Sequence, residues 1–450
     1  MTEKKKREHF GSKIGIIAAA AGSAVGLGNI YRFPCVAGEN GGGAFLIVYL
    51  GIVLTLGIPM MIGEFILGRR AQKNPVGTFK ALAPSAKGWS LIGYMGVLCA
   101  FLIIAFYSTV AGWTIESVYK SVINYYHGKD LATIEQGFNA SINMTVRPLL
   151  WQAVFIFISA FVIAKGISKG IEKYSKILMP ILITILLILC VKSILLPGAY
   201  EGLKFFFKPD FSKISRQVIT SALGQAFFSM SLGMGALITY GSYISKKDNL
   251  VTTSLMVGLS DTFVAILAGV IIFPAAFSFG IRPEAGPSLA FNTLPMLFNQ
   301  MNGGYFFCLI FFILLVIAAW TSALSLFEVV VSYMTEELNL SRRKATIYSS
   351  VGVFIISILA AMSLHNDSGL TIFGFTVFDG LDKITSMVFM TLVGFFTVLF
   401  LGWKIKKQDF EDEFTNGGTV NKRLNKIFYF IIKYLAPVAI AVIMVSQFIM

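Results

Sequence analysis

The sequence is poor in charged residues, histidine and cysteine, and each scarcity argues against a class of protein. Charged residues make up 13% of the 450 residues and hydrophobic residues 56%, with a mean hydropathy of +0.76, whereas a soluble domain is about a quarter charged. The three histidines are scattered, which disfavours a histidine-based metal site. The four cysteines stand far apart in or beside apolar segments, which is typical neither of a disulfide framework nor of a metal motif. The composition therefore predicts a chain surrounded mostly by lipid.

Long apolar segments occupy most of the chain. A helix that crosses a membrane needs about 20 predominantly apolar residues, and by this measure the sequence holds about eleven candidate spans. They are 14–36, 42–68, 89–119, 149–165, 172–196, 218–244, 250–280, 305–334, 343–363, 380–403 and 428–449. Nucleophile-elbow, P-loop and zinc-enzyme motifs are absent from the sequence. We therefore expect an all-α integral membrane protein that is not an enzyme.

The basic residues between the spans predict the orientation. They concentrate in the N-terminal segment 1–13 and then in alternate connecting segments, as the positive-inside rule requires of cytoplasmic loops. The rule predicts a cytoplasmic N-terminus and an external C-terminus; the external segment 196–217, which holds several lysines, is an exception. The net charge of +14 is thereby assigned to membrane topology and not to nucleic-acid binding.

Two of the spans contain closely spaced glycines. Gly22, Gly26 and Gly28 fall within seven positions of the first span, and Gly233 and Gly235 interrupt the sixth. Each glycine costs up to about 1 kcal/mol relative to alanine inside a helix, although small residues also serve close helix packing in membranes. Because non-helical backbone at membrane depth persists only in a protein interior or along a cavity, broken helices here predict a polar ligand.

The two interrupted spans lie five spans apart, which indicates two five-helix units of opposite topology, an architecture of secondary transporters. The expected units are 14–196 and 218–403, preceded by the cytoplasmic segment 1–13 and followed by an eleventh helix at 428–449. Carbonyls freed by a break suit a cation, and helix N-termini suit a carboxylate. An amino acid bound together with sodium meets both requirements.

Three stretches carry family-specific motifs. Residues 11–69 contain AVGLGN, RFP and GGGAF, residues 224–243 read GQAFFSMSLGMGALITYGSY, and residues 320–328 read WTSALSLFE. Together they resemble the neurotransmitter:sodium symporter family, and with the order of the spans the resemblance covers nearly the whole chain. It implies a LeuT-type fold with a 5+5 inverted repeat, helices 1 and 6 broken at mid-membrane, and sodium-driven transport by alternating access.

The resemblance also implies one substrate site and two sodium sites at the broken helices. The substrate would contact Ala24, Gly28, Tyr107, Phe228, Ser229, Ser231, Met234, Ser322 and Leu326. The first sodium site would use Ala24, Asn29, Ser229 and Asp261, with Ser260 as the alternative to Asp261. The second sodium site would use Gly22, Val25, Ala318, Thr321 and Ser322. Hard cations prefer oxygen ligands, which all these residues supply.

Six further residues resemble the family's gates. Arg32 and Asp382 match the outer pair, and the inner gate would be formed by Arg7, Ser242, Tyr243 and Glu336.

Departures from the family pattern bear on the substrate. Gly26 stands where monoamine carriers have an aspartate, so the substrate must bring its own carboxylate. Met234 replaces a phenylalanine found in many relatives, and a flexible thioether adapts to varied shapes. With Ile103, Ala323 and Leu326 nearby, we predict a roomy pocket for hydrophobic or aromatic L-amino acids. A small polar amino acid or osmolyte, or a non-transporting amino-acid sensor on the same fold, are the alternatives.

Asp261 replaces the asparagine of chloride-dependent relatives, and a fixed negative charge there predicts transport without bound chloride, using two sodium ions and no organic cofactor.

Gly170 and Pro180 bracket the start of the fifth span, which is either an ordinary kinked start or a stretch that unwinds to admit water. Short termini, eleven spans and a loop at 120–148 without cysteines indicate a bacterial inner-membrane protein, a monomer or weak dimer.

Overall fold

The computed structural model describes residues 7–280, 289–366, 368–420 and 422–449, and most of them are helical. Residues 1–6 of the predicted cytoplasmic segment, and residues 281–288 between the predicted spans 250–280 and 305–334, lie outside the described residues. In chain order the helices are α1 (Lys13–Ala24), α2 (Gly28–Glu39), α3 (Gly43–Ala71), α4 (Pro75–Leu82), α5 (Lys87–Val122), α6 (Leu131–Ile142), α7 (Val146–Ala164), α8 (Ile167–Ile194), α9 (Ala199–Phe207), α10 (Arg216–Ser229), α11 (Ala236–Gly241), α12 (Leu250–Ser278), α13 (Leu294–Asn299), α14 (Gly304–Glu336), α15 (Arg342–Met362), α16 (Val377–Lys404), α17 (Lys407–Thr415) and α18 (Lys422–Ser446).

Nine of the described helices are long and apolar enough to cross a membrane. They are α3, α5, α7, α8, α12, α14, α15, α16 and α18. Each overlaps one predicted span, and most ends differ from the predicted ends by a few residues. The length of the apolar runs therefore located these helices correctly.

The two remaining predicted spans are interrupted in the structure. α1 and α2 form one span bent by 54°, and α10 and α11 occupy the predicted sixth span with six residues between them. By length and composition the described residues hold nine spans, or ten with the bent pair, and α10 and α11 lie where the eleventh span was predicted. The predicted breaks in helices 1 and 6 are confirmed.

The broken spans lie at the centre of the molecule. α1 packs against α8, α12 and α14, and α14 runs alongside α5. In the most apolar stretches of α3, α12 and α14, 67% of the residues are buried, against 24% in α18. The central helices are thus enclosed by protein, whereas α18 presents most of its surface outward.

The connecting segments between spans hold short elements that the sequence analysis did not predict. α6 occupies the loop at 120–148, and α9 follows α8. A two-stranded antiparallel hairpin, β1 (Thr371–Ile372) with β2 (Phe375–Thr376), precedes α16. The division into units 1–13, 14–196, 218–403 and 428–449 stays a prediction, with which these helix ends are compatible.

Candidate functional site

Two side chains satisfy backbone groups at the first break. The chain leaves the helical path at Val25 and Gly26, between α1 and α2. The Asn29 side chain accepts from the backbone N–H of Gly26 at 3.1 Å, and Gln225 donates to the carbonyl of Gly28 at 2.8 Å. Side-chain partners of this kind satisfy backbone groups that a continuous helix would pair internally.

The second break depends on glycine and on a buried carboxylate. Gly233 and Gly235 have φ of +73° and +74°, a conformation that glycine adopts without a steric penalty. A Cβ on Gly233 would come within 2.2 Å of the Met390 carbonyl oxygen. The backbone N–H of Gly233 donates to Glu64 Oε1 at 2.8 Å, so this buried carboxylate has a structural role at the break.

A cavity of about 30 Å³ lies between the two breaks. Its lining comprises Ser23, Ala24, Gly26, Gly28, Ile103, Tyr107, Phe228, Ser229, Ser231, Met234, Ser322, Ser325 and Leu326. All nine residues predicted to contact substrate are among them. Ala323, expected beside the pocket, is fully buried and is not part of the lining.

Sequence reasoning missed two lining residues, Ser23 and Ser325. Ser23 directly precedes Ala24, and Ser325 follows Ser322 by three positions on α14, so that the two serines share a helix face. That spacing was the available signal for Ser325.

The predicted ligands of the first sodium site meet beside this cavity. Asp261 accepts hydrogen bonds from Asn29 Nδ2 at 2.7 Å and from Ser229 Oγ at 2.6 Å. Tyr49, which the sequence analysis did not name, donates to the second carboxylate oxygen at 3.3 Å. Asp261, and not the half-buried Ser260, makes these contacts.

The chemistry of this cluster fits a cation. Asp261 is fully buried, and its hydrogen-bond partners among the described residues are neutral. A buried carboxylate without a cationic partner is energetically costly. An ion of opposite charge, held by the oxygens around it, removes that cost.

The predicted second sodium site lies where α1 and α14 touch. The hydroxyl of Ser322 is 3.4 Å from the Gly22 carbonyl oxygen and 3.3 Å from that of Val25. Thr321 donates to the Ala318 carbonyl at 3.2 Å, one turn back on α14. All five predicted residues thus stand at one helix contact, and their carbonyl and hydroxyl oxygens suit a hard cation.

Comparison with known proteins accords with this geometry. The family model of the sodium:neurotransmitter symporter family matches residues 7–129 and 117–450. The chain belongs to this family. It is therefore a sodium-dependent membrane transporter and not an enzyme.

Similar proteins cover nearly the whole symporter. The uncharacterized sodium-dependent transporter YhdH of Bacillus subtilis (strain 168) is 37% identical over 446 residues, which cover 99% of this chain and 98% of that protein. An uncharacterized sodium-dependent transporter of Haemophilus influenzae is 36% identical over 457 residues, with 99% of each chain covered. The crystal structure of MhsT in complex with L-phenylalanine matches with a TM-score of 0.91 and 42% identity, covering 98% of this chain and 100% of that one.

Of the two predicted outer-gate residues of the symporter, Arg32 lies beside the cavity, and it does not pair with Asp382. The Arg32 guanidinium lies 4.3 Å from the centre of the Phe228 ring, and Phe228 lines the cavity. No ion pair joins Arg32 to Asp382 in the described part of the chain. Arg32 therefore covers the cavity by stacking on an aromatic ring.

The predicted inner gate is a connected set of contacts. Arg7 forms an ion pair with Glu336, and it donates to the carbonyl oxygen of Ser242 at 3.2 Å. Its guanidinium lies 4.5 Å from the Tyr243 ring centre. All four predicted residues thus meet, and Glu336 also accepts from the backbone N–H of Asn74 at 2.9 Å.

A second ion pair next to this gate escaped the sequence analysis. Glu328, which is fully buried, pairs with Arg342 and accepts from the Tyr243 hydroxyl at 2.7 Å. The charge in an apolar span was visible in the sequence, but its partner on the next helix was not.

The stretch between Gly170 and Pro180 is helical in this conformation of the symporter. α8 starts with a π-helical turn at Ile167–Glu172 and continues through Pro180. Unwinding of this stretch stays a prediction.

Proposed function

We propose that this symporter carries hydrophobic and aromatic L-amino acids into a bacterial cell with sodium, by alternating access. The observation that carries the proposal is one cavity at two helix breaks, where apolar walls adjoin a buried carboxylate. The similarity to MhsT, whose structure is of a complex with L-phenylalanine, supports this substrate class.

The backbone at Gly26 favours an amino acid over a simple amine. A Cβ on Gly26 would come within 2.5 Å of Ser322 Oγ and 3.3 Å of the Tyr107 hydroxyl. The site therefore has no room here for an acidic side chain that could pair with an amine. The substrate supplies the carboxylate, which accepts from Tyr107 and completes the first sodium site.

Two sodium ions are the proposed coupling ions. The first would be held by Asp261, Asn29 and Ser229 with the Ala24 carbonyl, and the second by the oxygens of Gly22, Val25, Ala318, Thr321 and Ser322. Each set is an oxygen cluster between separate helices. Binding of sodium would therefore tie the broken helices to α12 and α14.

Chloride is not part of the proposed mechanism. The Asp261 carboxylate, held by Tyr49 and Ser229, supplies a fixed negative charge near the first sodium site. We expect the rate of sodium-driven uptake to be the same in chloride and in gluconate medium. Loss of uptake in gluconate would contradict this proposal.

Alternating access would use the two gates in turn. Arg32 and Phe228 cover the cavity on one side, and the Arg7–Glu336 and Glu328–Arg342 pairs close the other. Together with the positive-inside rule, this arrangement supports a cytoplasmic N-terminus, an external C-terminus and a place in the bacterial inner membrane. We propose a monomer or weak dimer.

A small polar amino acid or osmolyte is the second candidate substrate. The small volume of the cavity and its five serines favour it. An aromatic side chain requires the cavity to widen, for which the unwound segments and the flexible Met234 provide the means.

Uptake into proteoliposomes tests both candidates. Labelled tryptophan, phenylalanine, leucine, serine and glycine are offered with and without an inward sodium gradient. Sodium-dependent accumulation of the hydrophobic members, and not of glycine or serine, is the expected result. Equal uptake of glycine and tryptophan would refute the hydrophobic pocket, and binding without accumulation would make the protein a sensor.

A further inference from the structure

One wall of the substrate cavity is formed by three buried serines from three different elements. Ser23 lies near the end of α1, Ser231 in the break between α10 and α11, and Ser325 on α14. Ser23 Oγ is 2.8 Å from Ser325 Oγ and 3.4 Å from Ser231 Oγ. We name these three residues the serine wall.

The hydroxyl protons of the serine wall are all used inside the protein. Ser23 donates to Ser325 Oγ, Ser325 donates to the Ser322 carbonyl at 2.7 Å, and Ser231 donates to the Ser23 carbonyl at 3.0 Å. A hydroxyl has one proton and two acceptor lone pairs. Among the described residues no group donates to Ser23 Oγ. The wall therefore offers acceptors, and no free donor, to whatever occupies the cavity.

Four apolar side chains also line the cavity. They comprise Ile103, Phe228, Met234 and Leu326. A phenyl or alkyl side chain packs well against these apolar residues, but it gives the serine oxygens no hydrogen-bond donor. An indole ring matches the same residues and carries an N–H, which only donates. Buried indole N–H groups usually have a hydrogen-bond partner.

We infer that the serine wall makes the symporter selective, among aromatic amino acids, for those whose ring carries a hydrogen-bond donor, above all tryptophan. The inference rests on the proposed function and adds a specificity determinant to it. Ser23, with two unused lone pairs, is the acceptor that the geometry favours.

The test compares two ligands of nearly equal shape. KM for sodium-driven uptake into proteoliposomes is measured for L-tryptophan and for L-3-benzothienylalanine, in which sulfur replaces the indole N–H. One net hydrogen bond predicts a KM several-fold to about tenfold higher for the sulfur analogue. Equal KM values in the wild-type protein would overturn the inference.

A variant pair assigns the effect to the wall. In Ser23→Ala the ratio of the two KM values is expected to approach one, because the acceptor is gone. Ser332→Ala is the control: Ser332, on α14, is a buried serine like Ser23, but it donates to the Val329 carbonyl and does not line the cavity. A ratio unchanged in Ser23→Ala would contradict the role of Ser23.

The same experiment separates the two proposals. If no amino acid accumulates with sodium, the proposed function fails and the inference with it. If tryptophan and its sulfur analogue accumulate with equal KM values, only the inference fails.

Discussion

At the scale of single residues, Asp261 connects three helices at the proposed first sodium site. Its carboxylate contacts Asn29 beside the first break, Ser229 at the end of α10 and Tyr49 on α3. The sequence suggested Asp261 or its neighbour Ser260, and only the side-chain directions on α12 distinguish them. Ser260 is only partly buried, whereas Asp261 is fully buried and carries a charge that attracts a cation.

Removal of the Asp261 charge is predicted to weaken sodium binding. In Asp261→Asn the half-saturating sodium concentration for uptake should rise by tenfold or more, since a hydrogen-bonded charge contributes roughly 1.5–3 kcal/mol. The stabilising shift in Tm that sodium produces should also shrink, because at a given concentration a ligand that binds the folded state more weakly stabilises it less. Both are measured by uptake assay and thermal denaturation in detergent.

Ser260→Ala is the control for this prediction, because Ser260 adjoins Asp261 on the same helix but does not contact Asn29 or Ser229. Its sodium dependence should match the wild type. A larger effect of Ser260→Ala than of Asp261→Asn would reverse the assignment.

At the scale of elements, two causes produce the second break: its glycines, and the neighbouring helices that contact them. The glycine cluster predicted an interruption, and the structure adds that Glu64 receives the freed N–H of Gly233. The backbone of α16 approaches Gly233 closely at Met390. The break is therefore fixed by tertiary contacts as well as by glycine's low helix propensity.

A side chain at Gly233 is predicted to be incompatible with the fold at this point. Gly233→Ala should abolish uptake and lower the Tm, since a left-handed backbone costs an alanine about 1–2 kcal/mol and its Cβ would meet the Met390 carbonyl oxygen at 2.2 Å. Gly224→Ala on α10, where no atom lies within 4 Å of the added Cβ, should retain uptake and Tm. Normal uptake by Gly233→Ala would show that the break tolerates a side chain.

At the scale of the whole molecule, ion pairs between distant segments close the side of the N-terminus. Arg7 joins Glu336 across 329 positions of sequence. A further pair, Arg69 with Glu413, is almost completely buried and fastens α17 to the end of α3. Breaking a buried pair leaves an uncompensated charge, which is why such contacts hold one conformation.

Loss of the Arg7–Glu336 pair is predicted to favour opening on this side. Arg7→Ala should speed amide hydrogen exchange across α1 by about thirtyfold, which corresponds to roughly 2 kcal/mol for charged hydrogen bonds, and should slow sodium-driven uptake. Lys407→Ala, which removes an exposed pair with Glu411 at 3.6 Å, should change neither, because exposed pairs contribute little. Unchanged exchange in Arg7→Ala would exclude the pair as a gate.

The sequence by itself determined the places of the nine continuous spans, the places of the two breaks and the family. These follow from local properties: the length of apolar runs, the density of glycine and short motifs. Through the resemblance to the family, it also predicted nine of the thirteen residues that line the cavity.

Only the tertiary structure decided which polar groups meet. The serine wall forms because its three residues come from separate elements that meet at the cavity. Likewise, Glu328 forms an ion pair with Arg342 on the following helix. Arg32 and Asp382, paired by resemblance, do not touch in this conformation. Hydropathy and helix propensity act over a few residues of sequence, whereas a buried hydrogen bond or ion pair depends on how whole helices pack, which no local pattern encodes.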